Sequence, residues 1–135
     1  MNCNLDTLAD AYLRQHTTKS DDDFWACEQV DTIIRAGDLQ AAWGITRLLL
    51  NKTESDETLW YVAAGPLEDF VDGYGHRALD VLEQSCQSAV RLQFALSGIW
   101  LLPESPVLNR WQDLMTKYGF RNGSREPLSY HPDCW

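Results

Sequence analysis

Between residues 5 and 13 the apolar positions are Leu5, Leu8, Ala9, Tyr12 and Leu13. That i, i+3, i+4, i+7, i+8 spacing marks one face of a helix and predicts it from about Asp6 to His16. Thr17 to Ser20 is polar and reads as a loop. Ser20 or Asp21 can cap a second helix, with Asp21, Asp22 and Asp23 placed where the helix dipole favours negative charge. Phe24, Cys27, Val30, Ile33 and Ile34 form its expected buried face. Gly37 ends it, because glycine accepts the left-handed conformation of a C-terminal cap. Asp38 caps a third helix to about Leu50, apolar almost all round as a central helix should be.

Asn51 to Asp56 is a polar link, and Ser55 opens a fourth helix carrying Leu59, Trp60, Val62 and Ala63. Gly65-Pro66 should break or kink it, since proline lacks the amide hydrogen and clashes with the preceding turn. Gly65 is then the expected new N-cap, with Glu68 completing a capping box for a short helix over 66–72. Gly73-Tyr74-Gly75 reads as a hinge. Two more helices follow over 76–88 and 89–101, stopped by Pro103 and Pro106, and a last one runs from Val107 to Tyr118. Trp43, Leu49, Leu79, Leu82, Leu96, Trp100 and Trp111 centre the apolar stripes and should be buried. No stretch alternates long enough for a half-buried strand. The expected fold is all-α: seven or eight short helices, antiparallel to their neighbours, in a helix-pair rhythm that would suit a small solenoid.

A length of 135 residues fits one domain, with a helical body at 1–119 and an irregular tail at 120–135. A hydrophobic fraction of 44%, with six Trp, excludes a disordered acidic chain. The N-terminus has neither the basic region nor the apolar stretch of a secretory signal, and no apolar run approaches the ~20 residues of a membrane span. Cys3, Cys27, Cys86 and Cys134 form no C-x-x-C pair, so reduced thiols and a cytoplasmic location are expected. Trp135 closes the chain and is expected to pack back on the domain.

Charge adds the most. The formal net charge is −9, and all of it lies in residues 1–75, with 14 acids and five bases; residues 76–135 are balanced at six and six. An excess of this sign argues against direct nucleic-acid binding, where cations must meet phosphates. It favours a protein partner with a basic surface. The acids that exceed what capping needs are Asp21, Asp22, Asp23, Glu28, Asp31, Glu54, Asp56, Glu57, Glu68, Asp69 and Asp72, and no base occurs from 58 to 75. These are the expected partner-binding residues, forming one acidic face.

Other chemistry is scarce. His16, His76 and His131 share no metal-ligand spacing, and Asp21–Asp23 lacks the alternation and glycine of a calcium loop, so no metal or cofactor is expected. Cys86 and His76, ten residues apart on one helix, would stand ~15 Å apart and cannot touch within it. No nucleophile elbow or phosphate-binding glycine loop appears, and no catalytic residue is assigned. A general acid–base role for Glu68, Asp69 or Asp72 would need one of them desolvated.

The stretch Leu59-Trp60-Tyr61-Val62-Ala63-Ala64-Gly65-Pro66-Leu67-Glu68-Asp69-Phe70, followed by Tyr74-Gly75-His76 and Phe94-Ala95-Leu96-Ser97-Gly98-Ile99-Trp100, resembles a family of small uncharacterised acidic bacterial helical proteins with an A-A-G-P-L-E-D core. The resemblance covers about residues 40–112. Such proteins are similar in size and charge to immunity proteins encoded beside bacterial toxins. By analogy, the resemblance implies an inhibitor that neutralises a cognate toxin or effector by occluding a basic surface. Three alternatives stay open: an acidic inhibitor of phage or host nucleic-acid machinery, a small helical enzyme using Glu68, Asp69 or Asp72, and a housekeeping helical scaffold with no toxin partner. A pocket holding a carboxylate of raised pKa would favour the enzyme over an open acidic face.

Overall fold

The first helix, α1 (Leu5–Thr18), starts where the Asn4 side chain accepts the Asp6 N–H at 2.8 Å. It runs past the expected stop because Thr17 and Thr18 turn their hydroxyls back onto the Leu13 and Arg14 carbonyls. Lys19, at φ +58°, then ends it with its N–H on the Gln15 carbonyl. A 3-10 turn (Asp21–Asp23) leads into α2 (Phe24–Arg35). α2 folds back along α1, so that Arg14 meets Asp23 and the Cys27 thiol points to Gln15.

This computed structural model describes residues 4–19, 21–87 and 89–119. The Ser20 cap and the tail at 120–135, with Trp135, lie outside the described residues. After α2 come α3 (Leu39–Lys52), α4 (Asp56–Val62), a π-helical turn (Ala63–Leu67), α5 (Glu68–Tyr74), α6 (His76–Cys86), α7 (Val90–Leu96) and α8 (Leu108–Lys117). No strand occurs among the described residues, and the fold is a single all-α domain. The caps at Asp38 and Ser55 form as expected, accepting the Ala41 and Thr58 N–H groups at 3.1 Å. No described helix is long and apolar enough to cross a membrane.

The core closes around α3 and the π turn. α1 and α2 pack on α3, the π turn touches α2, α3 and α7, and α6 returns to α3. Leu8, Ala26, Val30, Ile45, Leu49, Leu59, Leu67, Phe70, Leu82 and Met115 are buried, and Phe70 stacks on Trp43 at 5.6 Å between ring centres. Arg91 on α7, itself buried, donates to the Thr53 carbonyl and hydroxyl at the C-terminal cap of α3. Small residues such as Ala9, Ala11, Ala26 and Ala42 let the helices approach closely.

Three expectations fail for physical reasons. Gly65-Pro66 neither ends the helix nor starts a new one: residues 56–74 stay helical, and one π turn absorbs the proline. There the Glu68 N–H reaches back to the Ala63 carbonyl, five residues earlier. Gly65 is therefore no N-cap, and Glu68 completes no capping box. The absent side chain at Gly65 instead makes room for Tyr12, whose hydroxyl would lie 3.3 Å from a Cβ there.

Trp100 is 60% exposed although Trp43, Leu49, Leu79, Leu82, Leu96 and Trp111 are buried as expected. α7 stops at Leu96, where the Ser97 hydroxyl bonds the Phe94 carbonyl at 2.6 Å. Beyond Gly98 the chain is no longer helical, so Ile99 and Leu101 turn inward and Trp100 outward. Gly98 has no spare room, because a Cβ there would overlap the Trp60 ring.

Phe24, placed on the buried face of α2, is also exposed; α2 begins only at Phe24 and turns Ala26, Val30 and Ile34 inward instead.

Candidate functional site

The acids of the first 75 residues do not gather on one face. At the α1–α2 turn, Asp23 points inward rather than to a partner. Arg14 grips it with two hydrogen bonds of 2.8 Å, Nε to Oδ2 and a terminal nitrogen to Oδ1. Those bonds hold the Asp23 carboxyl below its ordinary pKa. Asp21 and Asp22 stay exposed beside it. Glu54, Asp56 and Glu57 are exposed at the start of α4. Glu57 lies 3.6 Å from His16 in the last turn of α1, and His16 stacks on Tyr61 at 3.8 Å. These acids answer helix starts and one neighbouring ring; they form no recess with Asp69 and Asp72.

Asp31, Asp69 and Asp72 come together elsewhere, where the C-terminal end of α2 faces α5. The floor of this recess, of about 410 Å³, is Ile34 and Tyr74; its rim is Arg35, Asp69 and Asp72, with Gly37 and Gly73 at its edges. Gly37 makes the turn, at φ +90°, that ends α2 and sends the chain away into α3. Tyr74 locks the walls together, its hydroxyl donating to the Ile34 carbonyl at 2.7 Å. That bond also satisfies one of the carbonyls left without a helical partner at the end of α2. A Cβ at Gly73 would meet nothing within 4 Å, so the mouth is open on that side.

The electrostatics of the recess are unbalanced. Arg35 is bound through Nε to the Asp31 Oδ1 at 2.7 Å, an i, i+4 pair on α2. Asp69 is pushed above its ordinary pKa chiefly by burial; Arg35 opposes this, and Asp31 and Asp72 add to it. Burial also raises Asp72. The one guanidinium that acts on Asp69 is thus already bonded to Asp31, and none acts on Asp72. A guanidinium or ammonium group is the countercharge chemically matched to carboxylates in such a recess.

Glu68 belongs to neither group: its carboxylate accepts the backbone N–H of Trp100 at 2.5 Å. Glu28 lies exposed on α2, one turn before Asp31. The expected single acidic face is therefore divided among the α1–α2 turn, the start of α4 and the α2–α5 recess, and one of its members, Asp23, is internally neutralised. Sequence reading missed Arg35, Ile34 and Tyr74. The Asp31–Arg35 spacing was a visible signal for the first. Nothing in the linear pattern announces that Tyr74 would reach back 40 residues to Ile34.

Catalytic chemistry finds little support elsewhere. Burial pushes the Cys86 thiol up to about 12, far from the thiolate a nucleophile needs. His76 sits at the other end of α6 beside Arg110. Among the described residues no group of three His, Cys, Asp or Glu is placed to hold a metal ion.

Comparison with curated proteins and with solved structures finds no match for the chain. The family of unknown function DUF6869 matches it over residues 14–118, which takes in every helix from the end of α1 to α8, and the chain belongs to that family.

Proposed function

We propose that this chain is an acidic protein-binding inhibitor, an immunity protein that neutralises a cognate toxin or effector by covering a basic surface. The observation that carries this reading is the recess between α2 and α5. Asp69 and Asp72 line it, Arg35 is already committed to Asp31, and no base lies between residues 58 and 75. A basic side chain entering the recess supplies the missing countercharge and returns both carboxylates towards their ordinary pKa. The bacterial, cytoplasmic setting belongs to the same reading, as does the variant in which the partner is part of a phage or host nucleic-acid machine.

The test is co-expression. The protein encoded beside this chain is produced in a heterologous bacterium, alone and together with the chain. Restored growth is the expected result, lost with Asp69→Lys and Asp72→Lys combined. Growth restored equally by the charge-reversed chain overturns the reading.

The enzyme reading has one observation in its favour, since Asp69 and Asp72 are carboxylates of raised pKa in a recess. Against it, Glu68 is held at Trp100 and the Tyr74 hydroxyl is spent on Ile34. The two acids of the recess are then both shifted upward, and nothing tunes one against the other to divide acid and base roles between them.

A further inference from the structure

Trp100 and Leu102 are 60% and 59% exposed, two large apolar side chains bracketing the buried Leu101. A lone exposed leucine needs no explanation, but a pair on one segment beside two recesses does. Nor is the segment loose. Glu68 holds the Trp100 N–H, Leu101 is buried, and the Ser105 N–H bonds the Leu102 carbonyl at 3.0 Å. Trp100 is thus displayed from an anchored backbone, which lowers the ordering cost of burying it in a partner.

The segment is also continuous with the acidic recess. Asp72 borders that recess and a second one that includes Val71, Leu102, Glu104 and Val107. Leu101 and Pro103, either side of Leu102, join this to a third recess against Trp111. Along this strip the charges are Asp69, Asp72 and Glu104, and the guanidinium at its end, Arg35, is bonded to Asp31.

We propose that Trp100 and Leu102, together with Asp69 and Asp72, form one docking strip for a protein surface in which arginine or lysine side chains alternate with exposed apolar ones. The acids select the sign of the partner and speed its approach; the tryptophan and leucine supply the buried centre that slows its departure. This rests on the basic-partner reading above and adds to it the apolar half of the site.

The experiment titrates the full ¹⁵N-labelled chain with three blocked five-residue peptides: alternating arginine and leucine, alternating arginine and glycine, and alternating glutamate and leucine. The arginine–leucine peptide is expected to shift the Trp100 indole and the Asp72 amide, and to bind at least about tenfold more tightly than either other peptide. Trp100→Ser with Leu102→Ser should lower it to the arginine–glycine level. If the double variant fails to fold, Leu102→Ser alone and the peptide comparison still decide.

Equal binding of the arginine–leucine and arginine–glycine peptides, both lost with Asp69→Asn and Asp72→Asn, overturns this inference and leaves the acidic reading standing. Equal binding of the glutamate–leucine peptide overturns the basic-partner reading as well. No binding by any peptide overturns the strip. So does a concentration-dependent dimer in sedimentation that Trp100→Ser abolishes, which assigns the surface to a second copy. A Trp100 indole displaced in the free protein by Trp135→Ala assigns it to the chain's own C-terminal segment, with the same consequence.

Discussion

Two acidic regions of this molecule have opposite fates. At the α1–α2 turn, Asp23 is held by a two-pronged Arg14, and its charge serves to fix one helix against another. At the α2–α5 recess, Asp69 is half-buried and Asp72 lies at the exposed rim, beside a guanidinium already taken by Asp31. The first carboxylate has a depressed pKa and the second pair raised ones. A count of acids treats them alike. What separates them is whether the fold supplies a cation, and only the unsupplied pair has electrostatic free energy left for a partner to recover.

The severest way to break the contrast is to remove the support beneath the recess. Phe70 on α5 is fully buried and stacks on Trp43 of α3, so Phe70→Ala should destabilise the domain by ~3–5 kcal/mol in denaturant titration. A cost below ~1 kcal/mol would mean that α5 is not seated by that ring.

Next in size is the loss of partner binding. Asp69→Lys with Asp72→Lys should weaken it by at least ~100-fold while the melting curve keeps its shape. Asp21→Lys with Asp22→Lys should change it several-fold at most, through long-range attraction alone. Raising salt should slow association far more than it speeds dissociation. Equal effects from the two double variants would erase the distinction between the regions.

The smallest effect carries opposite signs. Asp23→Asn should lower Tm at neutral pH, because a depressed pKa means stability that is present above the unfolded-state pKa and lost as pH falls through the folded one. Asp69→Asn should raise Tm slightly at neutral pH. A raised pKa means that the ionised form opposes folding, and acid relieves this by protonating the folded state first. The Asp69 difference should fade below about pH 3, where its carboxyl is protonated in either state. The Asp23 difference should persist to lower pH, until the depressed folded-state carboxyl is protonated as well. Melting curves of the three proteins from neutral to acid pH check this, and Tm changes of the same sign for the two variants would contradict it.

How much of this was legible in advance differs by level. Helix positions follow from short-range spacing, and the Asp38 and Ser55 caps act within three residues, so both could be read off the chain. The recess could be read only in part. Asp69 and Asp72 stood out as acids without nearby bases, and Asp31–Arg35 as a helical pair, but the meeting of α2 with α5 joins residues 40 apart.

The sequence by itself determined the all-α class, most of the buried stripes and the placement of the whole net charge in the first 75 residues, because each depends on residue type and local periodicity. Tertiary structure decided the rest. Packing of the π turn against α2, α3 and α7 keeps the helix running through Pro66. The early end of α7 turns Trp100 outward. Which helix ends face each other decides that Asp23 finds a cation while the one beside Asp69 is already bonded to Asp31. A carboxylate's free energy depends on its solvation and on charges within a few ångströms, and neither is set until the helices have packed.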